Sequence, residues 1–450
     1  DTFYRDIEKV AHNPNTQHFF GTIIFYEERS QIFGEPSRYI LVDGQQRLTT
    51  TMLFLIAARD VIQDEILKKT IDSKYLRNNN VSGNDVEYKI KLKQVENDWG
   101  AYKKLVLQEE LSDKDKKSIV YSNYLFFKSR LEKLEQTEIN DLIVKGLVNF
   151  NIVTIQLEPE RNKWEKPQEI FESMNSLGKP LSLADLVRNY LLLGKTAAKQ
   201  DTLYHNYWLK IEKNLAGPDD SFSVSSFIRD YMQLEATFSY KKATETNYKE
   251  LYHDFKELFE NAETETLIEK LALYSDNYSV LAGYKSSGDE RIDAKIADLK
   301  TVESSGFYSF ILGILHLQTE GKLSSDDCLS ILDAVFIYIT RRRILRLTQG
   351  ENKNAPLLVS FFDELITASS KKDKMLSILS NQLYALRLPN DNELLAYLTN
   401  QDSNFYNLRI CKFIFSLIEE SITRCRPKND TYLQIEHIMP QTLNDNWRDM

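Results

Sequence analysis

Several protein classes are excluded by what the 450-residue chain lacks. It has only three cysteines, Cys328, Cys411 and Cys425, with no CxxC pair, which excludes a disulfide framework and a structural zinc ribbon and fits a reducing cytoplasm. With 15 Gly and 10 Pro, the sequence is neither collagen-like nor low-complexity. It contains no apolar run of about 18 residues and no charged-then-apolar leader, so neither a membrane span nor a signal peptide is expected. Basic charge is also short: 57 Lys and Arg against 66 Asp and Glu give a net charge of −9. No global positive field draws the chain to DNA, and any nucleic-acid contact has to be a local patch.

What remains is an ordinary globular composition on a chain long enough for two or three cores. Phe19–Tyr26 and Arg38–Val42 are short β-branched and aromatic runs and are read as strands, as is Ile152–Leu157. Val86, Tyr88, Ile90 and Leu92 alternate with charged residues and predict a further strand. Beyond Arg47, the apolar positions Leu48, Met52, Leu55, Ile56, Ile62 and Ile66 fall mostly at helical spacing, which puts Asp43–Arg47 at a strand-to-helix junction. Asn175 and Gly178 suit a helix that ends in a left-handed turn, and Ser182 with Asp185 suits the cap of the next helix. From about Leu186 to Glu420 the period is helical. A polar loop at Arg424–Asp430 then opens a new unit. The fold class is α+β, with domains at 1–185, 186–425 and 426–450. Both ends break off abruptly and read as those of a fragment.

The stretch Asp43-Gly44-Gln45-Gln46-Arg47 carries the clearest chemistry. A glycine turn from strand into helix exposes backbone N–H groups where the helix dipole favours an anion, and phosphate is the natural ligand. Arg47 adds a planar fork, Gln45 and Gln46 add neutral donors and acceptors, and Asp43 can hold a hydrated divalent cation or a ribose hydroxyl. The plainer alternative is a surface turn in which the arginine pairs with the aspartate.

This motif, followed in the right order by Phe171-Glu172-Ser-Met-Asn175 and Gly178, resembles the DGQQR domain of GmrSD-type, modification-dependent (type IV) restriction endonucleases and their ParB/sulfiredoxin-like relatives. The resemblance implies a ParB-like α/β domain that binds and hydrolyses a nucleoside triphosphate with Mg²⁺, followed by a large helical domain. It assigns Asp43 (also as a catalytic residue), Gly44, Gln45, Gln46, Arg47, Glu172 and Asn175 to the nucleotide site. Glu172 and Asn175 are equally well read as a polar turn held by local hydrogen bonds. The family's proline-containing Tyr-Gln-Arg segment does not precede Phe19 here. Sulfiredoxin-like thiol chemistry has no cysteine near Arg47, and the three cysteines read as small buried hydrophobes.

Glu436-His437-Ile-Met-Pro440 resembles the opening of the family's HNH-like nuclease domain, in which His437 would be the general base, with the partner elements lying past Met450. Arg341, Arg342, Arg343 and Arg346 form the densest basic run. They are read either as a DNA-backbone contact or as a solvated helix face paired with acids. Gly194-Lys-Thr196 is not a Walker loop, since Asn189 stands where the first glycine belongs. His12, His18, His205, His253 and His316 show no metal spacing.

The sequence therefore predicts an NTP-dependent restriction protein of phage defence that cleaves modified double-stranded DNA, cytoplasmic and without a membrane partner, with self-association left open. The alternative is a non-catalytic regulatory or adaptor protein that binds nucleotide or DNA through the same turn.

Overall fold

The computed structural model describes residues 1–13, 16–28, 37–78, 89–94, 96–159, 161–162, 166–174, 181–244, 246–347, 353, 355–381, 387–400 and 405–427. They form two units, 1–180 with 192–201, and 181–191 with the residues from 202 onward. The mainly helical content with a small sheet agrees with an α+β class.

Unit 1 begins with α1 (Thr2–His12), then β1 (His18–Glu28), β2 (Arg38–Asp43) and α2 (Gln45–Val61). It continues through α3 (Glu65–Ile71), α4 (Glu96–Leu107), α5 (Ile119–Leu131) and α6 (Gln136–Asp141) to β3 (Phe150–Leu157) and α7 (Pro167–Met174). The sheet order is β2-β1-β3, with β1 antiparallel to β2 and parallel to β3. All three strands fall where the apolar runs predict them. The alternating stretch from Val86 is described only from residue 89, and there it contributes a single bridge, Arg77 to Ile90, in place of a strand.

The helix predicted through Ile66 stops earlier. Ile62 takes an extended ψ of 143°, and the Asp64 carboxylate accepts the N–H groups of Ile66 and Leu67 to start α3 afresh. The C-terminal half of α2 is the centre of the core: Leu53 through Ala58 are all buried, so that half is covered on every side. Phe54 meets Phe127 of α5 edge-to-face at 5.7 Å and Phe3 of α1 at 6.0 Å, which ties the first helix to the core. Its last turn carries Arg59, which is 1% exposed. That guanidinium donates to the carbonyls of Leu105 and Val106 and pairs with Asp60 and Asp72, so a charge inside the core is fully engaged.

Unit 2 is helical. It opens with α8 (Leu183–Leu192), where the Ser182 hydroxyl accepts the Asp185 N–H and donates to the Asp185 carboxylate, as the sequence predicts. Its centre is the helix Tyr308–Thr319, buried from Tyr308 to Leu317 and flanked by Val224–Ala236, Thr264–Ala282 and Ser325–Ile344. Cys328 and Cys411 are buried in this unit as small apolar groups, and burial pushes the Cys328 thiol up to about 12. Cys425 departs from the expected burial and is exposed, because it lies just past the end of helix Cys411–Thr423. Among the described residues, no helix is long and apolar enough to cross a membrane.

Candidate functional site

The site is assembled where β2 turns into α2. Gly44 sits at the helix start with φ 95°, a left-handed conformation that glycine adopts without strain. A side chain there would also fall 2.9 Å from Ile23 Cγ1, so the turn has to pass close against β1. Among the described residues no side chain caps α2, and the first intrahelical bond runs from the Leu48 N–H to the Gly44 carbonyl. The N–H groups of Gln45, Gln46 and Arg47 precede that bond at the positive end of a 17-residue helix.

Arg47 folds back over the sheet. Its Nη1 donates to the Thr22 carbonyl at 2.7 Å and to Asp43 Oδ2 at 3.2 Å, while Nε and Nη2 have no partner among the described residues. The side chain is 36% exposed and that of Asp43 is 20%, so the pair lies at the rim and its charges are only partly screened. Gln45 donates to the Leu41 carbonyl at 3.2 Å, and Gln46 is exposed. Thr51 donates back to the Arg47 carbonyl, and Thr49 donates to Gln94 Oε1 at 3.1 Å. The structure thus brings Asp43, Gly44, Gln45, Gln46 and Arg47 into one turn, which can offer an anion backbone donors, a fork and a nearby carboxylate.

Two contributors lie outside the motif. Gly21, in β1, has φ 118° at an irregularity in the pairing of β1 with β3, and a Cβ there would meet Arg47 Nε at 2.6 Å. Thr22 supplies the carbonyl that fixes the guanidinium. A glycine within an apolar, β-branched run is the sequence signal that marks such a close approach.

The other predicted residues lie elsewhere. Glu172 is in α7, with its side chain outside what is described, and Asn175, Gly178 and His437 fall outside the described residues. Arg341, Arg342 and Arg343 are in the last turn of helix Ser325–Ile344 and bond within unit 2. Arg341 donates to the Pro389 carbonyl and pairs with Asp391. Arg342 is 5% exposed beneath the face of Tyr338, and Arg343 donates to the carbonyls of Val302 and Glu303. Arg346 follows the helix at φ 55°. His253, given no role by its spacing, lies with Asp254 and Glu257 so that one ligand atom of each is within 4.8 Å of the others.

Unit 1 therefore defines a small-sheet domain that presents a glycine-capped, arginine-bearing helix start. Residues 1–192 match the family model described as GmrSD restriction endonuclease, N-terminal domain, so this segment is similar to that family's N-terminal domain. The family so matched is, at that general level, one of nucleases that act on DNA. No curated protein matches the chain.

Proposed function

We propose that the chain is an NTP-dependent, modification-sensing DNA restriction protein of phage defence. On this reading Asp43–Arg47 binds and hydrolyses the nucleotide in a ParB-like domain, and an HNH-like C-terminal domain with His437 as general base cleaves modified DNA. The supporting observation is the start of α2, where a left-handed Gly44, an uncapped helix terminus and Arg47 converge on one edge of the sheet. A phosphate fits there, because exposed N–H groups and the helix dipole favour an anion and the guanidinium can bind it through two donors at once.

The donor set also fits Mg²⁺. That ion commonly takes one or two carboxylates together with the substrate's phosphates, and Asp43 offers one carboxylate beside the proposed phosphate position. When bound, Mg²⁺ would neutralise phosphate charge. Arg47 holds the phosphate in place, Thr22 holds Arg47, and Gln45 and Gln46 supply donors at the rim.

A second reading, a non-catalytic regulatory or adaptor module, is favoured by one feature: Arg47 already pairs with Asp43 at 3.2 Å, as a purely structural turn would have it. Calorimetric titration of nucleoside triphosphates into the wild-type chain and Asp43→Ala separates the two. The hydrolase reading expects saturable binding, with turnover lost in the variant. Absence of binding to either protein, or turnover unaffected by the substitution, overturns it.

A further inference from the structure

Unit 2 contains a cavity of about 290 Å³ whose lining includes Arg229, Lys241, Lys242, Lys353, Ser305 and Gly306. Four cations around one small space are unexpected in a chain of net charge −9. Lys241 pairs with Glu250, but at 3.3 Å with both groups exposed, a geometry that neutralises little of its charge.

The cavity is built from a buried framework. Arg229, on helix Val224–Ala236, pairs through Nη2 with Asp230, which is fully buried. Asp230 is held by the Tyr278 hydroxyl at 2.7 Å and by Gln233 Nε2 at 3.2 Å, so the guanidinium is anchored from behind. Its Nε is buried with no hydrogen-bond partner among the described residues. The hydroxyl of Ser304, fully buried and adjacent in sequence to the lining residues Ser305 and Gly306, is also without a partner among the described residues. Buried donors left open in this way cost free energy unless a ligand or water satisfies them.

The segment that bears the lysines is fixed as well. Gln233 Oε1 accepts the Tyr240 N–H, and the Lys242 carbonyl accepts from Asn247 Nδ2 at 2.6 Å. Lys241 and Lys242 are thus presented on a pinned turn beside Arg229.

We propose that this cavity is a binding site for a phosphate group carried by a small phosphorylated ligand, separate from the Asp43–Arg47 turn. Arg229 supplies a positioned guanidinium, the lysines supply point charges, and the Ser305–Gly306 segment supplies hydroxyl and backbone donors. The volume suits a phosphate or pyrophosphate moiety, although a nucleic-acid phosphodiester offers the same chemistry.

The test uses pyrophosphate and the full chain carrying Arg47→Gln, which silences the turn in unit 1. Calorimetry is expected to give saturable binding, weakened roughly tenfold or more when Lys241→Gln and Lys242→Gln are added, as expected from the loss of two charge-assisted contacts. These exposed lysines can be replaced without disturbing the buried Asp230 framework. A 5′-hydroxyl oligodeoxynucleotide that fails to displace pyrophosphate identifies a small ligand. Displacement assigns the occupant to a nucleic-acid backbone and overturns the small-ligand assignment. No saturable binding to the Arg47→Gln chain, or binding indifferent to the two lysine substitutions, overturns the site itself.

Discussion

Arg47 lies across Gly21: a methyl group on residue 21 would fall 2.6 Å from Arg47 Nε and 3.0 Å from Cζ. The glycine lets the guanidinium reach the Thr22 carbonyl, and the position of the helix-start arginine is therefore set by a strand residue 26 places earlier in the chain (47 − 21).

Gly21→Ala is expected to destabilise unit 1 by about 1–3 kcal/mol, since it combines a left-handed φ with a steric clash. In an Arg47→Ala background the cost should be smaller, because the clashing group is gone. Chemical denaturation of the four proteins checks this as a double-mutant cycle, and strictly additive energies would mean that the contact carries no weight.

Arg47→Lys keeps the charge and removes the fork. If the proposed nucleotide site is right, affinity should drop roughly tenfold or more, with thermal stability little changed. Titration alongside a melting curve measures both, and wild-type affinity in the lysine variant counts against bidentate phosphate contact.

Arg59→Met should lower the stability of unit 1 by about 1–3 kcal/mol, the range for leaving buried acceptors unsatisfied. The substitution leaves the Leu105 carbonyl without its side-chain donor, the Val106 carbonyl with Arg77 alone, and Asp72 with one cation fewer. Equilibrium unfolding followed by near-UV circular dichroism reports the loss. A change below about 1 kcal/mol would show that water replaces the guanidinium at little cost.

His316 predicts a pH dependence. Burial lowers its pKa below 6.5, opposed by Glu320, and its ring lies 3.9 Å from that of Tyr274. Below pH 6.5 the unfolded chain takes up the proton more readily than the folded one, so unit 2 loses stability as the pH falls from there towards the depressed folded pKa. Above that window the effect vanishes. His316→Phe should flatten this part of the profile, as read by thermal unfolding between pH 7.5 and pH 5.5, and an unchanged slope would exclude the histidine as its source.

Local order was legible because it is encoded over a few residues. The runs at Phe19, Arg38 and Ile152 identify the three strands, Gly44 identifies a turn, and Ser182 with Asp185 identifies a helix cap, since each signal and its structure lie within one element. The break of α2 at Ile62 was hidden by an apolar period that continues into α3, and only the Asp64 cap shows the restart.

The sequence by itself determined the family match of residues 1–192, the strand-to-helix junction at Asp43–Arg47 and the helical character of the rest, through periodicity and short motifs. Tertiary structure alone decided where the charges point. Arg59 is buried because the last turns of α2 are surrounded. Arg341 and Arg343 read as a DNA-backbone contact or as a helix face paired with acids; Arg341 pairs with Asp391, and both bind carbonyls about 40 to 50 residues away in the chain. Arg229, Lys241, Lys242 and Lys353 carry no shared motif and meet only because the helices of unit 2 fold around one cavity. A guanidinium or ammonium group takes its partner from whatever surface packing brings within about 3 Å, and no local pattern of sequence encodes that distance.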